Sequence, residues 1–172
     1  MVYKLSKILR RLLRKQENLV TLREELSFID DYLAIEMVRF GDKLHFEKEV
    51  EPGCLDMLVP SMLLQPLVEN SIRHGLASKV SGGTIRVRGA RAGSRLLITV
   101  EDNGPGIADA EMELVFQPFY RALGNEADGS GLGLPIVLEI AQQHAAQVSL
   151  EAAQPGRPMP GARFSVRFPS VG

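Results

Sequence analysis

Three short stretches hold residues whose types and spacing suit chemistry on a phosphate-bearing ligand. Asp102-Asn103-Gly104-Pro105-Gly106-Ile107 follows the apolar run Leu96-Leu97-Ile98-Thr99-Val100, which reads as a buried strand. A carboxylate therefore stands where a strand ends and a tight glycine turn begins. Asp128-Gly129-Ser130-Gly131-Leu132-Gly133-Leu134 opens into an apolar helical pattern, so its backbone N–H groups and the helix N-terminus can meet phosphates. Upstream, Glu69 and Asn70 lie in a helical segment. An acid able to read adenine and a phosphate cradle, separated by an aperiodic stretch, with an amide oxygen upstream, describe a nucleotide pocket with a lid. The third glycine comes one residue too early for the dinucleotide fingerprint, and no Gly-Lys-Ser/Thr follows, so neither a Rossmann nor a Walker loop fits.

Each residue has a chemical reading and a plainer one. The Asp102 carboxylate can accept a hydrogen bond from the adenine amino group, which guanine lacks at that place, and in a cleft the wrong base leaves the acid unpaired. Its plainer reading is closure of an Asx-turn. Asn70 offers a neutral oxygen to Mg²⁺, which prefers oxygen ligands and keeps waters around phosphates; otherwise it is a helix asparagine on a solvated face. Arg73 and His74 share the Asn70 face at helical spacing and could touch ribose or phosphate, while Arg73 equally suits an i,i+4 pair with Glu69. Arg121, two residues after Phe119, could bring positive charge to a γ-phosphate or be a surface arginine. His45 and His144 read as structural or surface residues. No nucleophilic triad is arranged.

These groups need elements to place them. Tyr3 to Gln16 reads as a basic amphipathic helix, with Leu5, Ile8, Leu9, Leu12 and Leu13 at helical spacing among lysines and arginines; it suits a partner helix or a membrane surface. Thr21-Leu22-Arg23-Glu24 is a capping box. The helix it starts carries Leu22, Leu26, Ile29, Leu33 and Phe40, with Phe28, Tyr32 and Ile35 as a second stripe, and Gly41-Asp42 ends it. Leu44 to Val50 reads as a strand whose inner face is Leu44, Phe46 and the stem of Lys48. Pro60 to His74 reads as a helix that Pro66 should kink, with Gly75 as its C-cap. Thr84 to Val87 and Leu96 to Glu101 form an antiparallel pair around Ala92-Gly93-Ser94. Glu111 to Phe116 suits a short helix, and the lid over about 20 aperiodic residues between Gly106 and Gly129 should order on nucleotide binding. Leu134 to His144 is helical with Pro135 in its first turn, and Val148 to Ala152 with Arg163 to Phe168 are two closing strands.

Composition narrows the function classes. The chain has 172 residues with 45% apolar and 24% charged content, enough for one domain with a sizeable core and an appendage. A formal charge of -1 argues against binding nucleic acid or other polyanions generally. The single cysteine, Cys54, excludes an internal disulfide framework and gives no metal pattern. No apolar run approaches the roughly 20 residues of a bilayer span, and no signal peptide is evident, so a cytosolic piece is expected.

With Glu69-Asn70, the two glycine motifs resemble the N, G1 and G2 boxes of the Bergerat-type ATP-binding fold shared by histidine kinases, Hsp90, gyrase and mismatch-repair ATPases. Val59 to Gly75, read Val-Pro-Ser-Met-Leu-Leu-Gln-Pro-Leu-Val-Glu-Asn-Ser-Ile-Arg-His-Gly, closely resembles the N box of the autolysin-sensor (LytS-like) branch of sensor histidine kinases. Glu24-Glu25-Leu26 and Tyr32 to Phe40 look like the helix preceding that box. The resemblance runs from about residue 19 to the end. It implies ATP and Mg²⁺ as cofactors, with Asn70 as metal ligand and, with Arg121, as a catalytic group. It also implies nucleotide contacts from Arg73, His74, Asp102, Gly104, Gly106, Ile107, Gly129, Ser130, Gly131, Leu132 and Gly133.

Two features depart from that branch. Its Pro-His-Phe-Leu-Phe-Asn phosphoacceptor motif does not occur here. Phe116 to Arg121 and Gly129 to Val137 look instead like the F and G2 boxes of the commoner histidine kinases. Gyrase-like and Hsp90-like ATPases place a water-activating glutamate four residues before the asparagine, and here that position is Pro66.

The expected architecture is an α/β two-layer sandwich, a mixed sheet backed by about three helices with N-terminal helical arms. Residues 1–40 would be the trailing part of a dimerisation and phosphoacceptor region, and 41–172 the catalytic domain. The resemblance implies the cytoplasmic part of an inner-membrane sensor, homodimeric at full length, that passes the ATP γ-phosphoryl group to an upstream histidine and then to a response regulator. Two other functions stay open on sequence: a nucleotide-binding interaction module without chemistry, and a serine kinase acting on a partner protein.

Overall fold

The structure, a computed structural model, describes residues 19–76, 81–120 and 131–169. The basic helix expected over 3–16, and the lid residues Arg121, Gly129 and Ser130, lie outside the described residues. The ordered elements begin with β1 (Leu19–Thr21), α1 (Leu22–Phe40), β2 (Leu44–Val50), β3 (Leu58–Pro60) and α2 (Leu64–Asn70). They continue through β4 (Gly83–Ala92), β5 (Arg95–Asp102), α3 (Gly133–Gln143), β6 (Gln147–Ala152) and β7 (Ala162–Phe168). Five strands form one sheet in the order β2-β4-β5-β7-β6, and β1 pairs β3 separately. Only β2 with β4 is parallel among these pairs, so the sheet is mixed, as expected.

Strand alternation sorts the sheet into two faces. Ile85, Val87, Leu96, Ile98, Val100, Phe164 and Val166 are buried beneath the helices, sharing one core with Leu22, Leu26, Ile29 and Leu33 of α1, Leu64, Leu67 and Val68 of α2, and Leu134, Val137 and Ile140 of α3. The opposite face carries a lattice of charges: Arg86 bonds Glu47 (2.7 Å) and Glu101 (3.2 Å), and Arg163 bonds Glu101 (2.8 Å) and Glu151 (3.3 Å). A solvated, ion-paired face needs no second helical layer. Among the described residues, three helices on one side of a mixed sheet make the two-layer sandwich.

The first helix follows its local signals. Thr21 accepts from the Glu24 N–H, the Glu24 carboxylate accepts from the Thr21 N–H, and Gly41 ends the helix at φ 59. Leu22, Leu26, Ile29 and Leu33 of its main stripe are buried and Phe40 is half-buried, but Phe28 and Ile35 of the second stripe are exposed. Lys48 lays its stem toward α1 and ends on Asp30 at 2.8 Å.

The helix expected from Pro60 begins instead at Leu64. Pro60 is held in the β1–β3 pairing opposite Leu19, and the chain then turns through Met62 at φ 64. Pro66 thereby falls in the first turn, where its missing N–H costs nothing, so the expected kink has no cause. The N-terminal N–H groups find their acceptor far away in sequence: the buried Glu25 of α1 accepts from Met62 N at 3.3 Å and Leu64 N at 3.1 Å.

Burial pushes the Glu25 carboxyl above its ordinary value of 4.5, against the lowering effect of the N–H groups of Leu64, Met62 and Leu63. A carboxyl raised on folding binds its proton more tightly in the folded state, so its stability contribution falls as pH climbs from 4.5 through the folded value. We expect the stability of the parent relative to Glu25→Gln, measured by urea unfolding, to decrease from mild acid to neutrality. A difference that stays flat across that range would refute this.

After Asn70 the helix does not end at a glycine cap. Ser71–Leu76 continues it as a wider π-type turn. Gly75 lies inside that turn without a positive φ and serves a different purpose. The β4–β5 hairpin is longer than expected and pivots on Gly93 at φ 64. In place of a short helix over 111–116 there are two single 3₁₀ turns, Asp109–Glu111 and Leu114–Phe116.

Candidate nucleotide site

Asp102 is the last residue of β5 and stands opposite Ile85 on the helix-facing side of the sheet, 6% exposed. Its Oδ1 accepts from Gly104 N at 2.9 Å, which closes the Asx-turn, and from Ala162 N at 3.4 Å. An ionised carboxylate offers about four acceptor directions, so the turn and the ligand-reading role are compatible. Asn103 accepts from Thr84 N at 2.9 Å and ties the same turn to the start of β4.

The carboxylate is walled by backbone. A Cβ added to Gly75 would lie 2.7 Å from Asp102 Cγ and 2.9 Å from its Oδ1, closer than real side chains approach. A Cβ on Gly104 would strike the Gly75 backbone, and one on Gly161 the Asp102 carbonyl. Gly161 donates to the Gly104 carbonyl at 2.9 Å, and Gly106 turns beside it at φ 81, against Pro160. Three glycines from three segments, Gly75, Gly104 and Gly161, therefore pack around one acid. Ile107 follows, half-buried against the core.

The described phosphate-loop candidates pack on α2 and on Phe119. Leu132 and Gly133 open α3, where Ile136 N donates to the Leu132 carbonyl at 3.0 Å. A Cβ on Gly133 would meet Pro66 at 3.7 Å, an ordinary contact, so the α3 N-terminus sits over the first turn of α2. Gly131, at φ 71, accepts from Phe119 N at 3.0 Å and lies too close to the Phe119 backbone for any side chain. That contact brings together the two described edges of the lid region.

Asn70 is the last residue of α2, half-buried. Arg73 and His74 are exposed on the π-type turn. The Arg73–Glu69 pair, one of the two readings of Arg73, does not form; Glu69 accepts from Gln65 at 3.1 Å instead. A turn closed by i→i+5 bonds no longer places i+4 above i, which explains the change of partner. Among the described residues no group of three or more His, Cys, Asp or Glu side chains could hold a metal. His45 is exposed on the edge strand β2, and His144 follows α3.

Sequence reasoning missed Gly161 and Ala162 as partners of Asp102, and Glu25 as the cap of α2. The only local signal for Gly161 was a glycine immediately before an apolar strand.

The chain is a two-layer α/β sandwich whose central strand ends in a glycine-walled acid, with a glycine-led segment opening α3 over the first turn of α2. Residues 58–172 match the family of histidine kinase-, DNA gyrase B- and HSP90-like ATPases, and residues 1–44 match a histidine kinase family. The chain belongs to this family, as the ATP-binding catalytic domain of a sensor histidine kinase. The sensor protein kinase HptS of Staphylococcus aureus is 38% identical over 136 residues, covering 77% of this chain and 25% of the relative. Sensor histidine kinase YpdA of Escherichia coli is 36% identical over 137 residues, covering 78% of this chain and 22% of the relative. The chain thus spans about a quarter of the length of these relatives. The mycobacterial sensor histidine kinase MprB superposes with a TM-score of 0.71 at 26% identity, over 90% of this chain and 97% of that one. The catalytic domain of histidine kinase ThkA shares the fold, with a TM-score of 0.67 at 20% identity over 89% and 95% of the two chains.

Proposed function

We propose that this domain delivers the γ-phosphoryl group of MgATP to a histidine upstream of residue 1 of this sequence, from which a response regulator receives it. The observation that carries the site reading is the Asp102 carboxylate, held at the end of β5 by Gly104 and Ala162 and walled by Gly75. In this reading Asp102 accepts from the adenine amino group, with Gly104, Gly106 and Ile107 shaping the turn beside the base. Gly129, Ser130, Gly131, Leu132 and Gly133 cradle phosphates at the start of α3. Arg73 and His74, exposed near Asn70, contact ribose or phosphate, and Arg121 supplies charge to the γ-phosphate.

Asn70 supplies an amide oxygen suited to Mg²⁺, an ion that usually binds through one or two protein groups plus substrate phosphates. The ion would neutralise phosphate charge. The protein's part is positioning and charge stabilisation, which supply most of the catalysis in phosphoryl transfer. Pro66, in place of a water-activating glutamate, suits a kinase that keeps ATP for its acceptor.

Residues 1–40 serve in this reading as the trailing part of the dimerisation and phosphoacceptor region, and 41–172 as the catalytic domain, although the packing of α1 runs across that boundary. The full protein would be a homodimer with this part in the cytoplasm below an inner-membrane sensor. Among the described residues no helix is long and apolar enough to cross a membrane.

Joining the chain to an upstream acceptor helix and supplying radiolabelled ATP should give acid-labile phosphate on that helix. Acid-stable phosphoserine, or nucleotide binding without transfer, would replace this reading. The chain by itself should not become phosphorylated, because none of His45, His74 and His144 has the acceptor context. Stoichiometric phosphohistidine on the isolated chain would contradict that.

A further inference from the structure

Helix α2 ends in Asn70, and its other end is held by a residue the nucleotide reading does not use. Leu63, at the N-cap, makes no side-chain cap bond. The left-handed Met62 (φ 64) followed by the right-handed Leu63 (φ -77) folds successive N–H groups into a concavity of the kind that binds anions. The anion is supplied from α1: Glu25 Oε1 accepts from Leu64 N at 3.1 Å and Oε2 from Met62 N at 3.3 Å. Glu25 is 2% exposed, so its carboxylate is fixed by these donors rather than by water. Both oxygens are engaged, and a shift of either helix would strand a buried charge.

Helices α1 and α2 share one core and are joined at the start of α2 by Glu25.

We propose that Glu25 is a positioning residue for Asn70, fixing α2 against α1 so that the asparagine oxygen is set where magnesium-bound nucleotide meets it. The proposal rests on the reading of Asn70 as a magnesium ligand. It makes the magnesium end of the site directly dependent on Glu25, whereas Asp102 at the adenine end takes its hydrogen bonds from Gly104 and Ala162 on other segments.

Calorimetric titration of the full chain with a non-hydrolysable ATP analogue, once in magnesium and once in EDTA, separates the two ends. In Glu25→Gln an NH₂ donor faces a backbone N–H, so we expect the affinity gained from magnesium to fall by about tenfold or more while affinity in EDTA stays within about twofold, the scale typical of groups that orient metal ligands. Glu25→Asp keeps the charge and both acceptors on a shorter stem, and should recover part of the gain. Equal losses in both buffers, an unchanged magnesium gain, or an aspartate variant no better than the glutamine would overturn the proposal. Should Glu25→Gln fail to fold by circular dichroism, Glu25→Asp decides alone: a magnesium gain equal to the parent's overturns it, and a reduced gain with intact EDTA affinity supports it. A parent chain that binds no tighter with magnesium would remove the Asn70 reading and the proposal together, a result visible before any variant is made.

Discussion

Asp102→Asn should remove about half or more of the thermal stabilisation that ATP confers while leaving the ligand-free melting point near the parent's. Oδ1 closes the turn through Gly104 N and Ala162 N, and asparagine can keep an oxygen at that place. Its NH₂ then occupies the other carboxylate position. If that group faces the adenine amino group, an acceptor has become a donor opposed to a donor; if it turns away, the turn loses its bonds. Losing a charge-assisted hydrogen bond is worth about 1.5–3 kcal/mol, or roughly 10- to 150-fold in affinity. For the parent, ATP at about 100 times its dissociation constant stabilises by about 2.7 kcal/mol. For a domain of this size that raises the melting midpoint by about 5–10 °C. About half to nine-tenths of that rise should vanish in the variant at the same ATP concentration. An undiminished rise would leave Asp102 as a turn residue alone, and the adenine assignment would fail.

Gly75→Ala should damage both the site and the fold, because the new methyl has nowhere to go. It would stand 2.7 Å from Asp102 Cγ. On its other side, Gly104 already packs on the Gly75 backbone. Either the carboxylate swings off its two N–H donors or the Ser71–Leu76 turn backs away from β5 and carries Asn70 with it. Overpacking of this kind costs about 1–3 kcal/mol, which lowers the ligand-free melting midpoint by roughly 2–12 °C. ATP affinity should fall by at least the tenfold or so expected for Asp102→Asn. Gly53, also without a positive φ but with open space around its Cβ position, is the control: Gly53→Ala should melt and bind like the parent. A Gly75→Ala protein indistinguishable from that control would show that the 71–76 turn yields freely, contrary to the packing.

Much of the architecture was legible because its signals are local. The Thr21–Glu24 box, the Gly41 stop, the Gly93 hairpin and the closing strand pair all formed where residue types place them. Their energetics involve neighbours a few positions apart, and such patterns can be read along the chain. Asp102 was legible for the same reason: a carboxylate between an apolar strand and a glycine turn has little freedom in where it stands.

The start of α2 was not legible. Pro60 to His74 carries an unbroken helical pattern, yet strand pairing with Leu19 takes Pro60, and a glutamate 39 positions before Leu64 caps the helix. Nothing adjacent to Leu64 records either contact. The parallel pairing of β2 with β4 was equally silent, since its partners are joined only through the length of β3 and α2.

By itself, then, the chain determined the strands of the five-stranded sheet, both ends of α1 and the Gly93 turn, and it carries the three motifs read as a nucleotide site. Tertiary structure decided why Gly75 and Gly161 are glycines and what Glu25 does. A missing side chain acquires meaning only from the backbone that approaches it, and a buried charge only from the donors that surround it. Both are brought together by packing between segments distant in sequence, a relation that spacing along the chain does not carry.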